Sequence, residues 1–180
     1  MDRKFRVVSL LLVISILTLL ALTNVFRERS SPGRFDFGGV KELKVPFVRQ
    51  KPFYCSEACA SMLLAYYDIN ISQEEINQRG YYNFEVMLPL LNAYISCSYV
   101  NANYSLVKRE IDEGRPVMAR IEVNGFRHTV LIVGYDGDHL LVHDPALGPY
   151  VLVDTKDFYG EWRRTDFLAI ICRDSSTKSQ

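Results

Sequence analysis

An α+β domain is predicted by three observations. The first half of the chain carries apolar residues at helical spacing, the second half breaks into short β-rich runs, and a hairpin signal joins two of those runs. Helices gathered first and antiparallel strands second are the α+β arrangement. The chain has 180 residues, 48% of them hydrophobic, which gives room for one globular domain with a sizeable core.

Each element follows from local signals. Pro52 and the run "CSEACASMLLAYY" predict a helix beginning near Cys55, with Ala58, Met62 and Ala65 beside Leu63 and Tyr66 on an apolar face. "SQEEI" is a capping box, Ser72 as N-cap and Glu75 three residues on, and it opens a short second helix ending at Gly80. "NFEVMLPLLNAYI" is a third helix that Pro89 kinks or divides. "SLVKREIDEG" is a fourth, capped by Ser105 and stopped by Gly114. After Pro116 come "VMARIEV", "RHTVLIVGY", "HLLVHD", "YVLV" and "FLAIIC", read as strands, with Asp136-Gly137 as a hairpin turn. Trp162 and Phe158 are expected to pack a last helix or loop onto the sheet.

The N-terminus differs. Arg3, Lys4 and Arg6 precede an uncharged run at residues 7–26. Twenty helical residues at ~1.5 Å each reach about 30 Å, the thickness of a bilayer core. The run exceeds the roughly 7–15 residues of a signal-peptide core, which favours an uncleaved single-pass anchor. The short basic end favours an inside N-terminus and an extracytoplasmic domain, in keeping with the acceptor-like triplets Asn70-Ile71-Ser72 and Asn103-Tyr104-Ser105. The expected organisation is therefore a cytoplasmic stub and transmembrane helix at 1–26, a flexible Gly/Ser-rich linker at 27–40, the domain at 41–174 and a disordered tail at 175–180.

Charge is balanced, 21 Lys+Arg against 21 Asp+Glu, so no footprint for nucleic acid is expected. There is no G-x-x-x-x-G-K-[ST] loop, so no nucleotide is expected either.

Function turns on Cys55 and Cys59 at the mouth of the first helix. A helix N-terminus favours a thiolate, and Cys55 sits there. Cys59, one turn further in, reads as core; a Cys55–Cys59 bridge would need demanding geometry, and a metal site lacks the paired close spacings of zinc ligands. A thiolate nucleophile also needs a base, a partner for that base and oxyanion donors. His128 opens an apolar strand, and Asp144, 16 residues later, returns alongside it through the hairpin. Gln50 is placed to aim its amide at an oxyanion beside the Cys55 N–H. His143 should face away from Asp144's side of the strand and serve a structural role, the alternative being that it replaces Asp144 as the third member of the site; His139 should be solvated, and Cys97 and Cys172 are candidates for a bridge if the domain lies outside.

The ordered set "VPFVRQKPFYCSEACASMLLAYY", "GRPVMARIEV", "RHTVLIVGYDGDHLLVHDP" and "DFYGEW" resembles the C39-like peptidases, a family of papain-like fold, over residues 45–172. The resemblance implies a cysteine peptidase with Cys55 as nucleophile, His128 as general base, Asp144 as orienting residue and Gln50 as oxyanion donor. It implies a peptide or protein substrate and no cofactor. Many members have Gly-Pro after the nucleophile where this chain has Ser56-Glu57; a carboxylate at Glu57 would support the helix but oppose the thiolate. The alternatives are a slow or inactive peptide-binding module and an acyl or peptidyl transferase. Gly38-Gly39 raises self-cleavage after Gly39, against which Asp36 stands where leader substrates of the family place an apolar residue.

Overall fold

The computed structural model describes residues 34–173 and, ahead of them, Ser15 alone. The predicted stub and membrane span, linker residues 27–33 and the tail from 174 lie outside the described residues, Ser15 apart. Among the described residues no helix is long and apolar enough to cross a membrane.

In chain order the elements are β1 (Val40–Glu42), α1 (Cys55–Tyr66), α2 (Gln73–Gln78), a 3-10 turn (Phe84–Val86), α3 (Met87–Asn92), β2 (Ser96–Asn101), α4 (Tyr104–Asp112), β3 (Val117–Val123), β4 (Phe126–Asp136), β5 (His139–Asp144), β6 (Gly148–Asp154), α5 (Thr155–Trp162), a second 3-10 turn (Arg163–Thr165) and β7 (Leu168–Arg173). The sheet runs β2-β7-β3-β4-β5-β6, antiparallel throughout, with β1 added to β4. β3 occupies one edge of β4 as far as Ile132, and β1 takes over the same edge from Gly134 to Asp136. That handover brings backbones close: a Cβ on Gly134 would run into the Lys41 carbonyl oxygen.

α1 packs its buried flank, including Cys59, Met62 and Leu63, against the sheet. Ser72 caps α2 as expected, its hydroxyl accepting from the Glu75 N–H at 3.2 Å. The third segment is divided, a 3-10 turn followed by α3 with Pro89 inside its first turn, where a missing N–H costs nothing. The fourth helix starts earlier than its serine: Asn103 is the cap, its Oδ1 accepting from Leu106 N at 2.8 Å. Phe158 and Trp162 are each 1% exposed on α5, inside the core.

Residues 34–40 are not a linker. Phe37 is 3% exposed and stacks on Tyr135 at 4.7 Å, Phe35 exchanges backbone bonds with Thr155 Oγ1, and Arg34 pairs with Asp138. Glycine and charge dominate the composition of this stretch, but two aromatics decide its fate, because a buried Phe stabilises by about 2–3 kcal/mol. Residues 34–40 are therefore packed into the domain, ahead of the expected start at 41. Two strands, β1 and β2, carry no sequence-level expectation. β2 pairs with β7, and there Cys97 and Cys172 stand opposite each other in a disulfide.

Candidate active site

Cys55 is the first residue of α1, half-buried, and its thiol is free. Opposite it, β4 presents His128 and the adjoining β5 presents Asp144, since the hairpin between them sets Leu131 against His143 and leaves the ends of both strands side by side. His128 Nε2 lies 3.0 Å from Asp144 Oδ1, which leaves Nδ1 for the thiol. Asp144 Oδ1 also accepts from the N–H groups of Ala146 and Leu147 at 2.8 and 3.2 Å.

The charges follow from these contacts. Burial pushes the Cys55 thiol up, but a hydrogen bond and the charge of His128, with help from Thr129, bring it below its ordinary value. Burial pulls the imidazole down, and hydrogen bonds and charge from Asp144 and Cys55 outweigh it, raising His128 to about 9. Burial works against the Asp144 carboxylate, and His128 and the two backbone donors hold it below its usual range. Thiol and imidazole thus favour the thiolate–imidazolium form.

Gln50 is held by its neighbours. Its N–H donates to the Pro145 carbonyl at 2.9 Å, and Gln73 ties both sides of it, donating to Arg49 O at 2.9 Å and accepting from Lys51 N at 2.8 Å. Gln50 Oε1 is buried without a hydrogen-bond partner among the described residues. Between Gln50 and Cys55, Lys51-Pro52-Phe53-Tyr54 forms a turn closed by Tyr54 N to Lys51 O at 3.0 Å, with Phe53 at φ 69° and 93% exposed.

Cys59 is fully buried and donates to Thr129 O at 3.4 Å; burial drives its thiol well above the ordinary value. His143 is buried on the other face, accepting from Tyr150 N at Nδ1 (3.1 Å), so that Nε2 donates to Val45 O (2.9 Å). His139 is 39% exposed beside Asp138. Glu57 turns towards α2, where Asn77 donates to its Oε1 at 2.7 Å.

Sequence reasoning did not single out Arg120, Thr129 or Gln73. Arg120 is buried in the middle of β3, its Nη1 donating to Thr129 Oγ1 at 3.2 Å; Thr129 Oγ1 lies 2.9 Å from Ser56 Oγ. A charged residue inside "VMARIEV" was the available signal, since arginine is rarely buried without a task. A cavity of about 450 Å³ opens beside His128 and Asp144, with Val123, Phe126, Leu147 and Phe158 among its walls and Glu161 at its side.

A helix-borne thiol thus faces an imidazole and a carboxylate on adjacent antiparallel strands. The profile of the Peptidase_C39 like family matches residues 42–170, and the chain belongs to that family. Among solved structures it is similar to a Bacillus anthracis protein classed as a C39-like peptidase (TM-score 0.66, 16% identity, 78% of this chain and 99% of that one). It is also similar to a double glycine motif protease from an AMS/PCAT transporter in complex with the leader peptide (TM-score 0.61, 20% identity, 75% and 95%). A third is the peptidase domain of Streptococcus ComA, a bifunctional ABC transporter of a quorum-sensing pathway (TM-score 0.58, 16% identity, 71% and 97%). These likenesses concern the fold. No curated protein matches the sequence.

Proposed function

We propose that this chain is a membrane-tethered thiol peptidase acting through Cys55, His128, Asp144 and Gln50. The observation that carries the reading is the convergence of Cys55 at the head of α1, His128 and Asp144, His128 Nε2 lying 3.0 Å from Asp144 Oδ1, with His128 lowering the thiol and Asp144 raising the imidazole. The thiolate attacks the peptide carbonyl carbon, and Gln50 with the Cys55 N–H receives the oxyanion. The imidazolium gives its proton to the departing amine, leaving a thioester and neutral His128. His128 then takes a proton from water as the water attacks the thioester, and the acid leaves. Asp144 holds the ring and its charge. A peptide as substrate is supported by the leader peptide bound to one structural neighbour and by the apolar cavity beside His128. The anchor at 7–26 and an extracytoplasmic domain belong to the same proposal, and the Cys97–Cys172 bridge supports that side of the membrane.

The test is cleavage of a defined synthetic peptide library by the purified full-length chain, read by mass spectrometry, with Cys55→Ala as control. Products that vanish in Cys55→Ala, together with an acyl-Cys55 adduct, are expected. A wild type that binds peptides but gives no product and no adduct makes it a binding module instead.

A further inference from the structure

The Ser56 that stands where many members of the family have glycine is joined to a buried cation. Ser56 Oγ lies 4.0 Å from Cys55 Sγ, at the outer reach of a hydrogen bond to sulfur, and 2.9 Å from Thr129 Oγ1. Thr129 Oγ1 in turn accepts from Arg120 Nη1 at 3.2 Å. Ser56, Thr129 and Arg120 are 2%, 0% and 7% exposed, so the group is shielded from bulk solvent. We propose that Arg120, Thr129 and Ser56 form a charge-backed hydroxyl relay that holds a proton towards Cys55 and stabilises its thiolate. The inference rests on the reading of Cys55 as nucleophile.

The hydrogen count supports it. Two hydroxyls carry two protons, and the bond between them uses one. Arg120 can only donate, so it fills a lone pair on Thr129 and leaves the second hydroxyl proton free to point at sulfur, from Ser56 or from Thr129 itself. Hydrogen bonds in a chain polarise one another, and a cation at the far end strengthens each. Arg120 is itself under-satisfied. Its Nη2 reaches Glu85 only at 3.4 and 3.5 Å, and its Nε is buried without a partner among the described residues. Burial pulls its pKa down, while the Glu85 carboxylate and the Cys55 thiolate support its charge. Beyond Glu85 and the Phe84 ring 5.7 Å from its guanidinium carbon, the negative charge that supports buried Arg120 is the one developing at Cys55. The other charged groups are Glu85 from the 3-10 turn and Arg127 from β4 around Arg120, and His128 from β4 beside Cys55; Asp144 from β5 pairs with His128, and Glu57 from α1 acts on the neighbouring Cys59.

The experiment is the pH profile of Cys55 alkylation by iodoacetamide in the full-length protein. Its variants are Ser56→Ala, Thr129→Val, Arg120→Lys, Arg120→Met and His128→Ala. A charge-assisted hydrogen bond corresponds to about tenfold in the thiolate equilibrium. Ser56→Ala should slow alkylation about tenfold below the wild-type midpoint, with the high-pH plateau unchanged, because only thiolate population is lost. Arg120→Met should act in the same direction, add little when Ser56→Ala is already present, and be partly relieved in Arg120→Lys. A merely structural arginine would lower the plateau or the melting temperature without moving the midpoint. If Ser56→Ala and Thr129→Val both leave the midpoint in place while His128→Ala raises it, the relay is wrong and the peptidase reading stands. If the wild-type midpoint is that of a free thiol and ignores His128→Ala, both fall. Ser56→Ala places the best helix former in α1 and so keeps the test usable even if Arg120→Met does not fold.

Discussion

One imidazole, one carboxylate and one sulfur define what the site can do at a given pH. The thiolate–imidazolium form exists between the lowered Cys55 value and the His128 value of about 9. Peptide hydrolysis, and alkylation as its simpler surrogate, should therefore rise on an acid limb below the ordinary thiol range, and hydrolysis should fall on an alkaline limb near 9. His128→Ala should raise the alkylation midpoint and remove the alkaline limb from hydrolysis along with activity; stopped-flow alkylation and peptide turnover across pH read the two limbs. The same shift has a stability consequence. Because the folded imidazole value lies above the ordinary 6.5, its contribution is complete below 6.5 and is lost as pH rises through about 9. His128 and Asp144 were legible in the sequence because one hairpin signal, Asp136-Gly137, brings residues 16 apart onto facing strands. Arg120 was equally recoverable in principle. Asn124-Gly125, both at positive φ, form a two-residue loop that sets Val123 opposite Phe126 and hence Arg120 opposite Thr129. Glu57 could not be read, since which way a first-turn carboxylate swings depends on where α2 docks.

At the scale of elements, the turn ahead of α1 is built against local preference. Proline at its second position and positive φ at its third make a type II turn, where glycine ordinarily sits, yet this chain has Phe53. A bulky side chain in the left-handed region costs on the order of 1–3 kcal/mol. Phe53→Gly should raise the stability of the domain by about 1 kcal/mol, the strain relieved exceeding the entropy gained by the unfolded chain. Urea denaturation decides it; a loss would mean the ring contributes packing despite its 93% exposure. Gly134 is the opposite case, a glycine required by the close approach of β1 to β4. Gly134→Ala should cost on the order of 1–3 kcal/mol, seen as a lower melting temperature with β1 displaced. The helix starts show how local chemistry reads out. The Ser72 cap followed from its capping box, whereas α4 is capped by Asn103 rather than Ser105 because two cap-competent residues lay two apart and the sequence does not rank them.

Across the whole domain, the N-terminal strap matters more than its composition suggests. Phe35 and Phe37 join Tyr104 and Tyr135 in one aromatic group that ties residues ahead of β1 to α4 and β4. Phe37→Ala should destabilise the domain by about 3–5 kcal/mol, measurable by thermal or denaturant unfolding; a change below about 1 kcal/mol would show the strap to be dispensable. The strap also fixes the double glycine. Gly39 O accepts from Gly137 N at 2.9 Å and Phe37 is buried, so self-cleavage after Gly39 would require peeling β1 from β4. A full-length protein with an intact Gly39–Val40 bond by mass spectrometry is the expected result. The α+β class was readable from segregated helix and strand patterns. The strap and β2 were not, because short edge pieces owe their form to partners far away in the chain.

The Cys97–Cys172 bridge closes a covalent ring spanning 75 positions, with His128 and Asp144 inside it and Gln50 and Cys55 outside. A nick in any loop between the two cysteines would leave the base-bearing part tethered, and such a cut would show only after reduction. The same bond also sets two demands against each other, for thiol enzymes are kept active by reductants that free the nucleophile from adventitious oxidation. Here the compound that protects Cys55 also attacks the clamp between β2 and β7, whose loss costs about 2–4 kcal/mol. If the proposed peptidase activity holds, turnover against dithiothreitol concentration should therefore pass through a maximum, bounded on one side by oxidised Cys55 and on the other by an opened clamp.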